Sequence, residues 1–384
     1  MAAPMSDSSP KPIPPNAFTA RISKLAGGVF VLFLVVSFAS AVWLLVSGKV
    51  QLLPPDLTTD QALHGEVTHK IAKQLSQSVV PEAAADLERG ASWLVLGDTG
   101  ARVRPGCEGW LFLTDEMRVN RHAQDNAQTK ASAVRDVQQR LAKQGISLLV
   151  VVVPDKSRIA SEQLCDMRRP AQLQGRVVAW VDELKKDGVE ALDLAPALQP
   201  LGTQAFLRTD THWSEAGAAA AAKAVAQQVR AMGISATPSK TFEVTVQNPE
   251  RRPGDLVRLA GLEWLPLSAQ PAPENVAASQ ITAKADDSQA GGDNLDDLFG
   301  DSNLPNVALI GTSFSRNSNF AGFLEQALGA PIGNFAKDGG EFSGGANAYF
   351  SNPAFAQTPP KLLIWEIPER DLQTPYSEVV QWAK

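Results

Sequence analysis

The chain has 384 residues, 44% apolar and 20% charged, with a formal charge of −6 at pH 7. That length exceeds one ordinary domain and leaves room for a sizeable core. The acidic balance, with no run of lysine and arginine beyond the N-terminus, argues against a nucleic-acid partner, which calls for a basic face.

Residues 1–25 are rich in Pro and Ser and carry Lys11, Arg21 and Lys24, as expected of a cytoplasmic tail. Ala26–Ser47 then run 22 residues without a charge, enough at 1.5 Å per residue to cross a hydrocarbon core of ~30 Å. Cations on its N-terminal side predict a single-pass signal anchor over 26–48, with residues from about 49 onward across the membrane. Cleavage at Ala39-Ser40-Ala41 is the alternative, but it would leave Val-Trp-Leu-Leu-Val exposed on the mature end. An uncleaved anchor is therefore the expectation.

Residues 49–104 read as a helical lead-in, and 105–384 as the main domain. "CEGWLFLTDE" (107–116) carries a short strand, and "KASAVRDVQQRLAKQG" (130–145) a helix with a glycine stop. "ISLLVVVVP" (146–154) is a continuous β-branched run, the pattern of a strand buried on both faces. A helix over 175–188, a strand over 189–194 and a long Ala-rich helix capped by Ser214 follow. After a possible strand "TFEVTV" come a strand in "NVALIGTSFS", a helix near 318–328 and a buried strand in "KLLIWEIPERDL". Strands alternating with helices predict an α/β sandwich with a mostly parallel sheet. The Pro-, Ala-, Gly- and Asp-rich stretch at about 268–300 is expected to be a partly disordered insertion.

Asp210 and His212 stand two apart in "RTDTHWSEAG". In an extended segment that spacing puts both side chains on one face, where a carboxylate can fix an imidazole tautomer. Equally, Asp210 could serve only the positive end of the following helix. "ALIGTSFS" is an apolar strand that stops at Gly311, so Ser313 falls past a strand's carboxyl end, where ligands gather in open α/β sheets. There it is either a nucleophile whose own amide helps hold an oxyanion, or a helix cap. Gly339 and Gly340, in "NFAKDGGEFSGGAN", are further oxyanion candidates, or simply a turn. His64, His69 and His122 carry no ligand-like spacing, and neither cysteine belongs to a CxxC pair, so no metal or cofactor is expected. Cys107 and Cys165 are even in number, and a disulfide between them is one possibility in an oxidising compartment. Asp155 and Lys156 are expected to form a surface ion pair, and Glu366, inside a buried run, to pair with Arg370.

Five stretches in order, "GWLFL", "VVPDKSRIASEQL", "RTDTHWSEAG", "IGTSFS" and "IWEIPERDL", resemble the SGNH-hydrolase-like domain of the alginate O-acetyltransferase AlgJ/AlgX family over roughly 105–375. The resemblance implies an SGNH-hydrolase-like (flavodoxin-like) fold and a Ser313–His212–Asp210 triad, with the histidine motif preceding the serine. Thr312 stands where many SGNH members carry aspartate, so the "GDS" form is absent. The anchor, and only 12 residues after Leu372, make the chain look more like the AlgJ branch, without a carbohydrate-binding module. It further implies a periplasmic domain held at the inner membrane, a polysaccharide acceptor, and a multi-spanning membrane acyltransferase as partner and acetyl donor. Three readings remain: an O-acetyltransferase, an acetylesterase with the same triad, and a non-catalytic scaffold of a secretion complex. The scaffold reading expects Asp210, His212 and Ser313 to lie apart.

Overall fold

The computed structural model describes residues 17–47, 59, 63–76, 78–284 and 304–383. They fall into two units, Met1–Glu88 and Arg89–Lys384. In the first, the helix Ala17–Val46 includes a 23-residue stretch, Lys24–Val46, of mean hydropathy 2.8, long and apolar enough to cross a membrane. Within the expected lead-in lie the helix Glu66–Leu75 and the helix Val79–Leu96, whose last residues, from Arg89, belong to the second unit.

Among the described residues the second unit has eleven strands. Five form the central sheet: β3 (Ser147–Val153), β4 (Glu190–Asp193), β9 (Val307–Ile310), β10 (Gly333–Asn334) and β11 (Leu362–Pro368). Their order is β10-β9-β11-β3-β4, and every pairing is parallel. The continuous apolar run of β3 is explained by its neighbours on both faces. Leu149, Val151 and Val153 enter one core with the Ala-rich helix Glu215–Ala231 and Phe320 and Leu324 of the helix Phe320–Leu328. Leu148, Val150 and Val152 enter the other, against the helices Ala123–Ala142 and Arg176–Lys186. A strand with no solvent face has no reason to alternate apolar with polar.

The remaining strands pair outside this sheet. β1 (Val103–Pro105) and β2 (Leu111–Leu113) are antiparallel and share a small third core with Leu256, Val257 and Leu262. Cys107 and Cys165 are joined by a disulfide.

Between the helix Glu215–Ala231 and β9 the chain makes an excursion, which takes in the first part of the stretch expected to be a partly disordered insertion. β7 (Glu274–Val276) pairs with β6 (Glu250–Arg252), and β8 (Ser279–Ala283) pairs with β5 (Phe242–Val246). Both pairs are largely exposed, so their sequences lack the apolar alternation that marks a half-buried strand. Ile281 nonetheless packs on Gly322, whose missing side chain lets it approach. Residues 285–300 of the expected insertion lie outside the described residues.

Candidate active site

The segment Leu207–His212 is a tight excursion closed by hydrogen bonds from the Leu207 amide to the His212 carbonyl, 3.1 Å, and from the Ser214 amide to the Ala205 carbonyl, 3.0 Å. Ser214 then caps the helix Glu215–Ala231, its hydroxyl accepting the Gly217 amide at 3.1 Å. Asp210 and His212 are not on an extended strand, as their spacing suggests, but on a bend. Asp210 Oδ1 accepts the His212 backbone amide at 2.9 Å, the Asx-turn a short carboxylate makes with the residue two ahead. The same oxygen lies 2.6 Å from His212 Nδ1. A carboxylate can only accept, so Nδ1 carries the proton and Nε2 is left as an acceptor.

What Nε2 faces is Ser313 Oγ, at 2.7 Å. Ser313 opens a short 3-10 turn just past β9, with Thr312 as its cap. Asp210, His212 and Ser313, which a scaffold reading would leave apart, therefore form one chain of hydrogen bonds across two loops. Those loops are tied together nearby. The Ser318 hydroxyl donates to the Trp213 carbonyl at 2.6 Å, and Trp213 Nε1 to the Asn317 carbonyl at 3.3 Å. Phe314 sits edge-on to both His212 and Trp213, each at 5.1 Å between ring centres.

Ser313 and His212 line a cleft of 410 Å³, with Arg102, Arg118 and Arg370 also on its walls. Gly339 lines the same cleft and holds φ +65°, a conformation that favours glycine. Gly340 does not: its amide is engaged by the Lys337 carbonyl at 3.0 Å, and it lines a neighbouring hollow instead. Ser313 begins the turn, where a backbone amide has no intrahelical partner. Its N–H and Gly339 are the oxyanion candidates that the geometry retains.

Two expectations about charged residues are overturned. Asp155 and Lys156 are not a surface ion pair; both are buried, 2% and 1% exposed. Asp155 joins Arg169 and Arg176, which with Arg158 also bind Glu369. Lys156 instead reaches the carbonyls of Leu111, Arg208 and Asp210 at 2.7, 2.8 and 2.9 Å, so a buried cation fastens the loop that bears the histidine. Burial pushes its ammonium down to about 8. Glu366 is not held by Arg370, whose guanidinium lies 5.4 Å over the Phe314 ring. Its carboxylate accepts the Thr312 amide at 2.6 Å and the hydroxyls of Thr312 and Ser315, each at 3.0 Å. Burial raises its pKa. Gly311 is required where it lies against Glu366, because a Cβ there would collide with the carboxylate. A Lys just past one apolar strand and a Glu inside another are the only traces of these roles in the sequence.

Asp255 left no trace. Its Oδ1 accepts the Thr211 amide at 2.7 Å, and its Oδ2 lies 3.9 Å from His212 Nδ1. Asp210, His212 and Asp255 are the one group of metal-ligand types gathered this closely among the described residues. Both imidazole nitrogens already lie at hydrogen-bond distance from protein oxygens, so an ion would have to displace Asp210 or Ser313. Burial opposes the Asp210 charge, but the hydrogen bond and charge of His212 outweigh it and hold the carboxyl down at about 2. Burial and then Asp210 push Asp255 upward. His122 is exposed opposite Asp125 at 3.7 Å, away from this site.

Residues 103–369 match the family described as SGNH hydrolase-like domain, acetyltransferase AlgX. The probable alginate O-acetylase AlgJ of Pseudomonas aeruginosa is 34% identical over 275 residues, covering 70% of this chain and 69% of that protein. The solved O-acetyltransferase domain of Pseudomonas putida AlgJ is similar with a TM-score of 0.60 at 29% identity, over 72% of this chain and 93% of that one. Pseudomonas aeruginosa AlgX gives a TM-score of 0.52 at 26% identity, over 69% of this chain and 62% of that one.

Proposed function

From the premise that this chain belongs to the AlgX family of SGNH hydrolase-like acetyltransferase domains, and is an O-acetyltransferase of SGNH type, we propose that it acetylates a polysaccharide through an acetyl-Ser313 intermediate. The observation that carries the reading is the chain of contacts from Asp210 through His212 to Ser313, 2.6 and 2.7 Å long, opening on a cleft.

His212 Nε2 takes the Ser313 proton as Oγ attacks the acetyl carbonyl of the donor. The negative charge that develops on the carbonyl oxygen is met by the Ser313 amide and by backbone donors near Gly339. Collapse expels the leaving oxygen, which takes the proton from His212 and leaves acetyl on Ser313. A sugar hydroxyl then gives its proton to His212, attacks the acetyl-serine, and departs as the ester while His212 returns a proton to Oγ. Asp210 holds the proton on Nδ1 throughout and stabilises the imidazolium between the two transfers.

The stretch Lys24–Val46 anchors the chain in the inner membrane with its catalytic domain in the periplasm, as its apolar length and N-terminal cations suggest. The polymer named for the relatives is alginate, and an alginate-like exopolysaccharide is the proposed acceptor. A multi-spanning membrane acyltransferase supplies acetyl groups from across the membrane. Incubating the full chain in detergent with an acetyl ester, with and without oligosaccharide, tests transfer. Acetyl on the sugar supports the reading; donor loss as free acetate in both arms makes the protein an acetylesterase.

A further inference from the structure

The excursion between the helix Glu215–Ala231 and β9 does more than fill a connection. Residues 254–256 lie along residues 209–211 of the histidine loop, contact by contact. Gly254 packs on the Thr209 carbonyl so closely that any side chain would collide with it. The Leu256 amide donates to that carbonyl at 3.3 Å, the Asp255 amide to Asp210 Oδ2 at 3.3 Å, and the Thr211 amide to Asp255 Oδ1 at 2.7 Å. Leu256 and Val257, both buried, lock the segment into the third core against Val103, Leu111 and Leu113. Glu274 of β7 completes the grip by accepting the amides of Arg208 and Thr209 at 2.6 and 2.8 Å.

We infer that Asp255 is a positioning residue for the acetyl transfer: a second carboxylate, delivered by the excursion, that pins the Thr211 amide and faces the imidazolium formed on His212. The inference rests on the reading of Ser313 and His212 as nucleophile and base. A simpler role, an acid at the start of the helix Asp255–Leu259, leaves its geometry unexplained. One carboxylate oxygen is held by a different segment, and the other lies 3.9 Å from Nδ1 of His212. Opposite charges at such a distance favour the ionised imidazole. The other charges near His212 are Asp210 on its own loop, Arg252 at 3.7 Å from Asp210 Oδ2, Lys156 beneath the Asp210 carbonyl and Arg370 across Phe314, while Arg102, Arg118, Asp115, Glu341 and Asp371 line the walls of the same cleft. Asp210 and Asp255 are the two carboxylates within 4 Å of His212 Nδ1 among the described residues, and loss of Asp255 shifts the balance toward the cations.

Asp255→Asn separates charge from shape, because the amide oxygen still accepts the Thr211 N–H. The test uses the full chain in detergent and two readouts. One is the pH–rate profile for release of a chromogenic acetate ester. The other is the titration of the His212 ring, followed by NMR of carbon-labelled histidine. The expected result is a kcat about tenfold lower at neutral pH, with KM within about twofold. The acidic limb and the His212 midpoint move together to lower pH, and Asp255→Glu restores part of the rate. A wild-type rate, or a lower rate with an unmoved His212 midpoint, overturns the inference. Failure of the underlying reading looks different: Ser313→Ala keeps its ester activity while the His212 midpoint still shifts in Asp255→Asn.

Discussion

The ammonium of Lys156 donates to the backbone carbonyl of Asp210 at 2.9 Å, deep beneath the loop that carries His212. The same nitrogen serves the carbonyls of Leu111 and Arg208, so one cation joins β2, the histidine loop and the end of β3. Lys156→Met keeps an unbranched stem, one atom shorter, and removes every donor. Three carbonyls, two of them in buried contacts, then lose a partner, and stability falls by about 3 kcal/mol, read as a lower midpoint in urea. A midpoint equal to wild type would mean that the loop is held by Glu274 and Asp255 alone.

Glu366 governs the serine turn in the same manner. It accepts the Thr312 amide and two hydroxyls of that turn, and no cation hydrogen-bonds it among the described residues. Glu366→Ala frees the backbone immediately before Ser313, and a displacement of about 1 Å at a reacting atom costs about a hundredfold in rate. Glu366→Gln retains an acceptor for the amide and is expected to lose far less. Steady-state kinetics on a small acetate ester, with circular dichroism to check folding, distinguishes the two. Equal rates for Ala and Gln would remove Glu366 from the account.

Acid should weaken the fold through two carboxylates. His212 holds Asp210 at about 2 against an ordinary 3.8, and three arginines hold Glu369 at about 2 against 4.5, in both cases despite burial. A carboxyl depressed in the fold contributes stability above its unfolded pKa and loses it as pH falls through the folded one. The window is therefore from about 4.5 down to about 2, with about 2–3 kcal/mol at stake for each group. The carboxyls that burial raises, Asp255 and Glu366 among them, titrate above their ordinary values and act at higher pH. Urea unfolding at several pH values should show the slope, and Glu369→Gln should flatten it.

Much of this was legible in the sequence because the decisive signals are local. β3 and β11 are runs of buried apolar residues, Ser214 is a helix cap, and Ser313 follows an abrupt strand end. The residues that hold the site in place were not legible. Lys156 and Asp155 look like a surface pair because nothing nearby in the chain reveals the carbonyls and arginines that enclose them. Glu366 meets its partners from an adjacent parallel strand, 54 residues away in sequence. Asp255 sits in an excursion whose strands are exposed and carry no periodicity, 45 residues beyond the Asp210 it serves. Pairing across such distances is set by topology, which a single sequence does not display.

The central claim is that Ser313 takes up the acetyl group. The direct measurement is peptide mass spectrometry of the full chain, quenched during turnover of an acetyl ester, compared with Ser313→Ala under the same conditions. Acetyl on the peptide containing Ser313, absent from the alanine variant together with transfer to the oligosaccharide, is the predicted result. Undiminished transfer by Ser313→Ala would contradict it.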